Sequence, residues 1–341
     1  MRITFFAAVV TVVVAASGGA ADATTMAFVH GRNAGEPSAT EACEYWGGSA
    51  GCTCSGTNSA GYATSGWCGY AGGSTSTFNR VVIRYNATTA WYADDTSTGS
   101  ICDVAAEINA IADSDVRVIA HSAGNLVTLA LLDDAANGYN GACAPGVIAA
   151  AANKITKVGA IQGPFSGAKA ADAVYGHLNN SGNILTDWLH NFCGNTVGGI
   201  ANIFADQASS MTYSLQTSVA TNYRGWMDQS NGKPVYIAFG TGTSGTDSVW
   251  LGAAATCSGG SYNDGLVEAY SARACTNTGA GMTGSCTSKP ANFYDQARAK
   301  IGHSSGRRGD YVTTTDQWAS YNWTSAHAHG MSDLFWNHTS I

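Results

Sequence analysis

The sequence predicts an α/β fold in which a mostly parallel sheet is flanked by helices and carries an inserted cap. Three observations lead there. Short, almost continuously apolar runs alternate with segments of helical period, the pattern of parallel strands buried on both faces. One apolar run passes through a serine directly into a helix, in Val116–Leu132 (VRVIAHSAGNLVTLALL). Apolar residues make up 45% of the 341-residue chain, enough for one large core. Only 11% of residues are charged, and the net charge is −7 without a basic cluster. That balance excludes wholesale disorder and argues against nucleic acid as a partner.

The elements follow in order. Residues 1–23 read as a secretory signal peptide: Arg2, the apolar run Ile3–Ala16, then small residues at Ala21 and Ala23. The remainder, 24–341, reads as a single domain. Met26–Val29 is a short strand ending in His30-Gly31, and a Gly/Ser/Cys-rich loop spans 43–76. Arg80–Tyr85 alternates like a strand. Ile101–Ala112 places Ile101, Val104, Ala105, Ile108 and Ile111 on one helical face. Val116–Ala120 is a strand and Ala123–Ala136 a helix; Lys157–Ile161 and Val235–Phe239 are further strands. Between them, 164–231 changes to helical segments with aromatic residues such as Trp188, Phe192 and Phe204, and reads as the cap. Ala297–Gly302 is the expected last strand.

Ten cysteines fit export to an oxidising compartment, where an even count forms disulfides. Cys275 with Cys286, closing a Gly/Thr-rich loop, is the one pairing the sequence singles out. Cys52-Thr-Cys54 lacks zinc-knuckle spacing, and no CxxC pair occurs. No stretch after the signal is long and apolar enough to cross a membrane. The expected location is therefore extracellular, without integral membrane association after signal cleavage.

Ser122 carries the chemistry. A serine at a tight strand-to-helix turn takes a strained backbone conformation that lifts its hydroxyl clear of the sheet. Ala120 and Gly124, two residues to either side, are small enough for the turn to close. The helix that follows directs backbone N–H groups at the place where negative charge would develop. The hydroxyl needs an imidazole to take its proton and a carboxylate to orient that imidazole.

With these pieces the chain resembles a secreted α/β-hydrolase of the bacterial triacylglycerol lipase group. Ala120-His-Ser-Ala-Gly124 stands for the group's Gly-x-Ser-x-Gly box, which some members begin with Ala. Phe28-Val-His-Gly-Arg32 is similar to its strand-His-Gly segment. Val158–Asp172 is similar to the stretch leading into the lid, with Phe165 where a histidine is common. Asn263-Asp-Gly-Leu-Val267 matches a segment that carries the triad acid. The resemblance spans 26 to about 303 and implies the catalytic set Ser122, Asp264 and His303, with Arg32 and Ala123 giving the two oxyanion N–H groups. Asp247 is the alternative acid. His329 and then His327 are the alternative bases, while His177 and His190 precede the acid and are disfavoured by chain order. His30 is read as a strand-end histidine that shapes the loop. Calcium-binding members carry an aspartate two residues after the histidine, where this chain has Ser305, so no metal or other cofactor is expected.

The expected activity is hydrolysis of carboxylic esters with apolar acyl groups through an acyl-enzyme. An extracellular polyester depolymerase is one rival, and a non-catalytic, disulfide-stapled binding scaffold is another. For the aromatic segment from Phe165 to Trp226, an acyl site under a movable cap and simple core packing both remain open.

Overall fold

A computed structural model describes residues 24–31, 35–38, 41–42, 45–46, 55–57, 63–65, 79–172, 175, 209–227, 230–240, 264, 266–281 and 284–299. The expected signal peptide, most of the cap, and everything after residue 299 lie outside them.

Six strands form one parallel sheet: β1 (Thr24–Val29), β4 (Asn79–Ile83), β5 (Asp115–His121), β6 (Ile155–Ile161), β7 (Val235–Gly240) and β8 (Phe293–Ala299). Their order is β4-β1-β5-β6-β7-β8, with every neighbouring pair parallel. Strands β2 (Ser55–Thr57) and β3 (Ala63–Ser65), inside the Cys-rich loop, pair antiparallel apart from this sheet. The helices are α1 (Ser100–Ala110), α2 (Ala123–Asn137), α3 (Val147–Lys154), α4 (Ser210–Ser214), α5 (Thr217–Met227) and the single turn α6 (Ala269–Ala272).

Alternation along the strands divides the core. Ala27, Val29, Val81, Ile83, Val116, Val118, Ala120, Val158, Ala160, Val235 and Ile237 join one cluster with the apolar sides of α1, α2 and α3. The intervening Phe28 faces the other way, onto Trp46, with ring centroids 5.2 Å apart in a T-shaped contact. Both faces of the central strands are thus covered, which explains their unbroken apolar sequences. In α2, every residue from Ala123 to Asp134 is buried. This helix has too little polar face for a surface helix and sits between the sheet and its neighbours.

The expected strands and helices are present, with ends displaced by a few residues. The second expected strand stops at Ile83, so Arg84 and Tyr85 belong to the following loop. There the Tyr85 hydroxyl donates to the His30 carbonyl at 2.9 Å, and Tyr85 is fully buried. The last strand begins at Phe293, four residues earlier than Ala297.

Two disulfides account for all four cysteines among the described residues. Cys275–Cys286 forms as the sequence singled out; Cys102–Cys143 links the first turn of α1 to the loop between α2 and α3. The latter spans 41 residues, so in the chain-entropy picture it removes about 4 kcal/mol of unfolded-state freedom. Replacing both Cys102 and Cys143 by serine is expected to lower the unfolding free energy by about 2–4 kcal/mol in denaturant titration. An unchanged midpoint would show that packing alone holds α1 to α2.

Candidate active site

The site is built where β1, β5 and β6 end side by side. Val29 pairs with Ala120, and His121 pairs with Ile161, so the residues just beyond share one edge of the sheet. Ser122 sits there between β5 and α2 with φ 54° and ψ −131°. A side-chain-bearing residue in this region stores on the order of 1–3 kcal/mol of strain. Three hydrogen bonds hold it. The Ser122 N–H donates to the Ile161 carbonyl at 3.0 Å. The Asn125 side-chain amide donates to both the Ser122 carbonyl at 3.0 Å and the Ile161 carbonyl at 2.9 Å. The Ser122 hydroxyl makes no capping bond to α2, and the residue is partly exposed.

Space at the turn is limiting. A Cβ on Gly124 would lie 2.4 Å from the His30 carbonyl oxygen and 2.7 Å from that of Val29. A Cβ on Gly31 would lie 2.6 Å from the Ser122 Cβ. Both glycines are therefore required by contact with backbone or Cβ atoms that cannot swing away. Ala123, the first residue of α2, is fully buried, and its N–H belongs to the first turn, which has no acceptor within the helix.

His30 stacks on Tyr85 at 4.5 Å, and its Nδ1 lies 2.6 Å from the Gly31 carbonyl oxygen. Phe165 is buried and packs edge-on against Phe293, with centroids 5.7 Å apart. For this one aromatic of the cap segment, core packing is the answer. Trp188, Phe192 and Phe204 lie outside the described residues.

Asp264 is 2% exposed. Its Oδ1 accepts the N–H groups of Leu266 at 3.0 Å and Val267 at 2.8 Å, a turn that fixes the carboxylate. The segment after it is fastened to the chain leaving β6. The Ser166 N–H donates to the Ser271 hydroxyl at 2.9 Å, and the Ser271 hydroxyl donates to the Gly167 carbonyl at 2.6 Å. The Ser166 hydroxyl donates to the Cys275 carbonyl at 2.7 Å. Gly163, four residues before Gly167, lies against the Asn125 side chain in α2.

Sequence reasoning missed a second buried carboxyl. Glu268 is 2% exposed, and its Oε2 receives the Lys169 N–H at 3.4 Å. Burial pushes its pKa up to about 7; the Lys169 N–H and ammonium oppose this and the nearby Asp264 carboxylate adds to it. Asn125 and Tyr45 were missed as well. Arg32, Asp247, His303, His327 and His329 lie outside the described residues, as do Asn263 and Gly265. Among the described residues, no group of three or more His, Cys, Asp or Glu is placed to hold a metal ion.

No family model matches the chain, and no curated protein does. Solved structures do. The mature form of the Bacillus licheniformis lipase BlEst2 is similar at 17% identity and TM-score 0.53, over 85% of this chain and 89% of that one. EstA from Clostridium botulinum is similar at 10% identity and TM-score 0.48, over 84% and 83%. Lipase 1 from Pelosinus fermentans is similar at 12% identity and TM-score 0.47, over 84% and 94%. The BlEst2 match and the sheet order agree on the fold: a parallel α/β sheet with helices on its faces, arranged as in that lipase.

Two outcomes test the site's construction. Gly124→Ala is expected to cut any Ser122-dependent activity by about 100-fold or more, because displacing a reacting group by a fraction of an ångström suffices for that. Gly138→Ala, at φ 68° with open space around it, costs about 1 kcal/mol of stability and leaves activity intact. Equal activity in the two variants would refute the spatial argument. Glu268 gives the second test. Its raised pKa makes wild-type stability fall as pH rises from about 4.5 to about 7, since the unfolded chain releases that proton first. Glu268→Gln is therefore expected to gain about 2–3 kcal/mol over wild type at pH 8 relative to pH 4. An equal pH dependence in both proteins would remove the buried-proton assignment.

Proposed function

We propose that this protein is an exported serine hydrolase of carboxylic esters, with a preference for apolar acyl groups. The observation that carries the proposal is Ser122 held at φ 54° at the end of a central parallel strand and the start of a buried helix, with its hydroxyl unused by the helix cap. The likeness in fold to BlEst2, itself described as a lipase, supports the class of chemistry.

In this reading the Ser122 hydroxyl attacks the ester carbonyl while His303 takes its proton. The tetrahedral oxyanion is held by the N–H groups of Ala123 and Arg32. His303 returns the proton to the leaving alcohol, Asp264 steadies the imidazolium, and water releases the acyl group by the same steps. Asp264 suits this role because two backbone N–H groups fix the direction of its carboxylate at a buried position. His303 is assigned by chain order and resemblance, ahead of His329 and His327. The disulfides Cys102–Cys143 and Cys275–Cys286 support export. Among the described residues no helix is long and apolar enough to cross a membrane.

An organophosphate or sulfonyl fluoride is expected to label wild type stoichiometrically at Ser122 and to leave folded Ser122→Ala unlabelled. Failure to label folded wild type would favour the binding scaffold. Of the alanine variants at His303, His327 and His329, only the one lacking the base should fall by about 10³-fold or more in kcat. Full turnover in His303→Ala would move the base elsewhere without touching the serine assignment. Rates on short soluble esters, emulsified glycerides and a polyester film distinguish esterase, lipase and depolymerase.

A further inference from the structure

A chain of polar groups crosses the site edge without any part in the proton transfers above. The Gly31 N–H donates to the Tyr45 hydroxyl oxygen at 2.8 Å. That hydroxyl lies 2.5 Å from His121 Nδ1, and His121 Nε2 lies 3.1 Å from Gln162 Oε1. The protonation pattern follows from the partners. Facing a carbonyl oxygen, His121 Nε2 carries the ring proton, so Nδ1 is the acceptor. Tyr45 therefore donates to Nδ1 and accepts from Gly31. His121 and Gln162 are both buried, the latter at φ 50° with its N–H on the Ala238 carbonyl at 2.8 Å. The far end of the chain is thus anchored in the backbone of β7.

The near end is Gly31, the residue before the peptide to which the resemblance assigns one oxyanion N–H. Its N–H is held by Tyr45 and its carbonyl oxygen by His30 Nδ1 at 2.6 Å. The Tyr45 oxygen also sits 2.7 Å from where a Gly31 Cβ would be, beside Ser122. One hydroxyl therefore spans the gap between the end of β1 and His121, the residue preceding Ser122.

We infer that Tyr45 is a positioning residue whose hydroxyl, clamped between the Gly31 N–H and His121 Nδ1, sets the oxyanion-binding backbone against Ser122. This deepens the ester-hydrolase reading and rests on it. Tyr45 touches neither substrate nor the transferred proton; it acts through Gly31.

The test compares wild type and Tyr45→Phe on paired oxygen and thiono esters of the same alcohol and acid. Thiono esters place sulfur in the oxyanion site and gain little from well-aimed N–H groups, so the oxygen-to-sulfur rate ratio reads that alignment. The variant is expected to lose about 10-fold or more in kcat on the oxygen ester, below the 10²–10³ for outright loss of one donor, with KM within about 2-fold. Its rate ratio should fall by a similar factor and its Tm should stay within a few degrees. An unchanged kcat and ratio overturns the inference. So does an equal loss on both esters with an early melt, which marks Tyr45 as a brace only. His121 supplies the second pair: asparagine keeps an acceptor near the Nδ1 position, whereas glutamine places its amide near Nε2. His121→Asn should retain more turnover and more of the rate ratio than His121→Gln, and the reverse order contradicts the clamp. If wild type neither hydrolyses esters nor labels at Ser122, the underlying reading fails instead, a result distinct from a Tyr45 variant that matches an active wild type.

Discussion

The site depends on backbone being allowed to touch backbone at one place, the contact between the turn after β5 and the end of β1. Gly124 lies against the carbonyls of Val29 and His30, and Gly31 lies against Ser122. Neither contact tolerates a Cβ. With both in place, the serine is forced into a conformation that side-chain-bearing residues rarely adopt, and the first turn of α2 is drawn up beside the end of β1. The strain is sustained because the surroundings are rigid: strands buried on both faces, and a helix buried along its first twelve residues. Burial of the core thus supports a locally unfavourable geometry, and that geometry leaves the hydroxyl free of the helix cap.

Around that contact, polar side chains close the gaps between strand ends. Asn125 bridges the carbonyls of Ser122 and Ile161, and Ser166 and Ser271 fasten the acid-bearing segment to the chain leaving β6. All but the Asn125–Ser122 bond are buried, where the low dielectric strengthens each and makes each costly to break. In the proposed ester-hydrolase reading such rigidity matters, because catalysis by oriented dipoles requires that they do not reorganise as charge develops. Glu268 shows what burial at this edge costs a carboxylate. Its pKa is raised to about 7 because desolvation outweighs the backbone N–H groups and the Lys169 ammonium that favour the charged form.

Much of the frame was legible because parallel strands covered on both sides must be apolar nearly throughout, as in Met26–Val29 and Val116–Ala120. Ser122 was legible because strand, turn and helix are contiguous. Helix α3, Val147–Lys154, is only eight residues long and half alanine, so it offers too few spaced apolar positions to stand out from its loop. The start of β8 was hidden by its position at the sheet edge, where Tyr294 is exposed and Asp295 pairs with Arg273 and Lys289. Tyr45 sits in a stretch without periodicity, and its partner His121 is 76 residues away. Nothing local marks such a pair. Phe165, where the resembled group commonly has histidine, is a core residue, which neighbouring sequence could not decide.

The most direct measurement is a crystal structure of the protein after reaction with a phosphonate ester. The account predicts phosphorus bonded to the Ser122 Oγ, with the phosphoryl oxygen about 2.7–3.1 Å from the N–H of Ala123 and from the N–H that follows Gly31. Ser122 should keep its positive φ in the adduct. A phosphonate attached elsewhere, or a phosphoryl oxygen directed away from the start of α2, would contradict it.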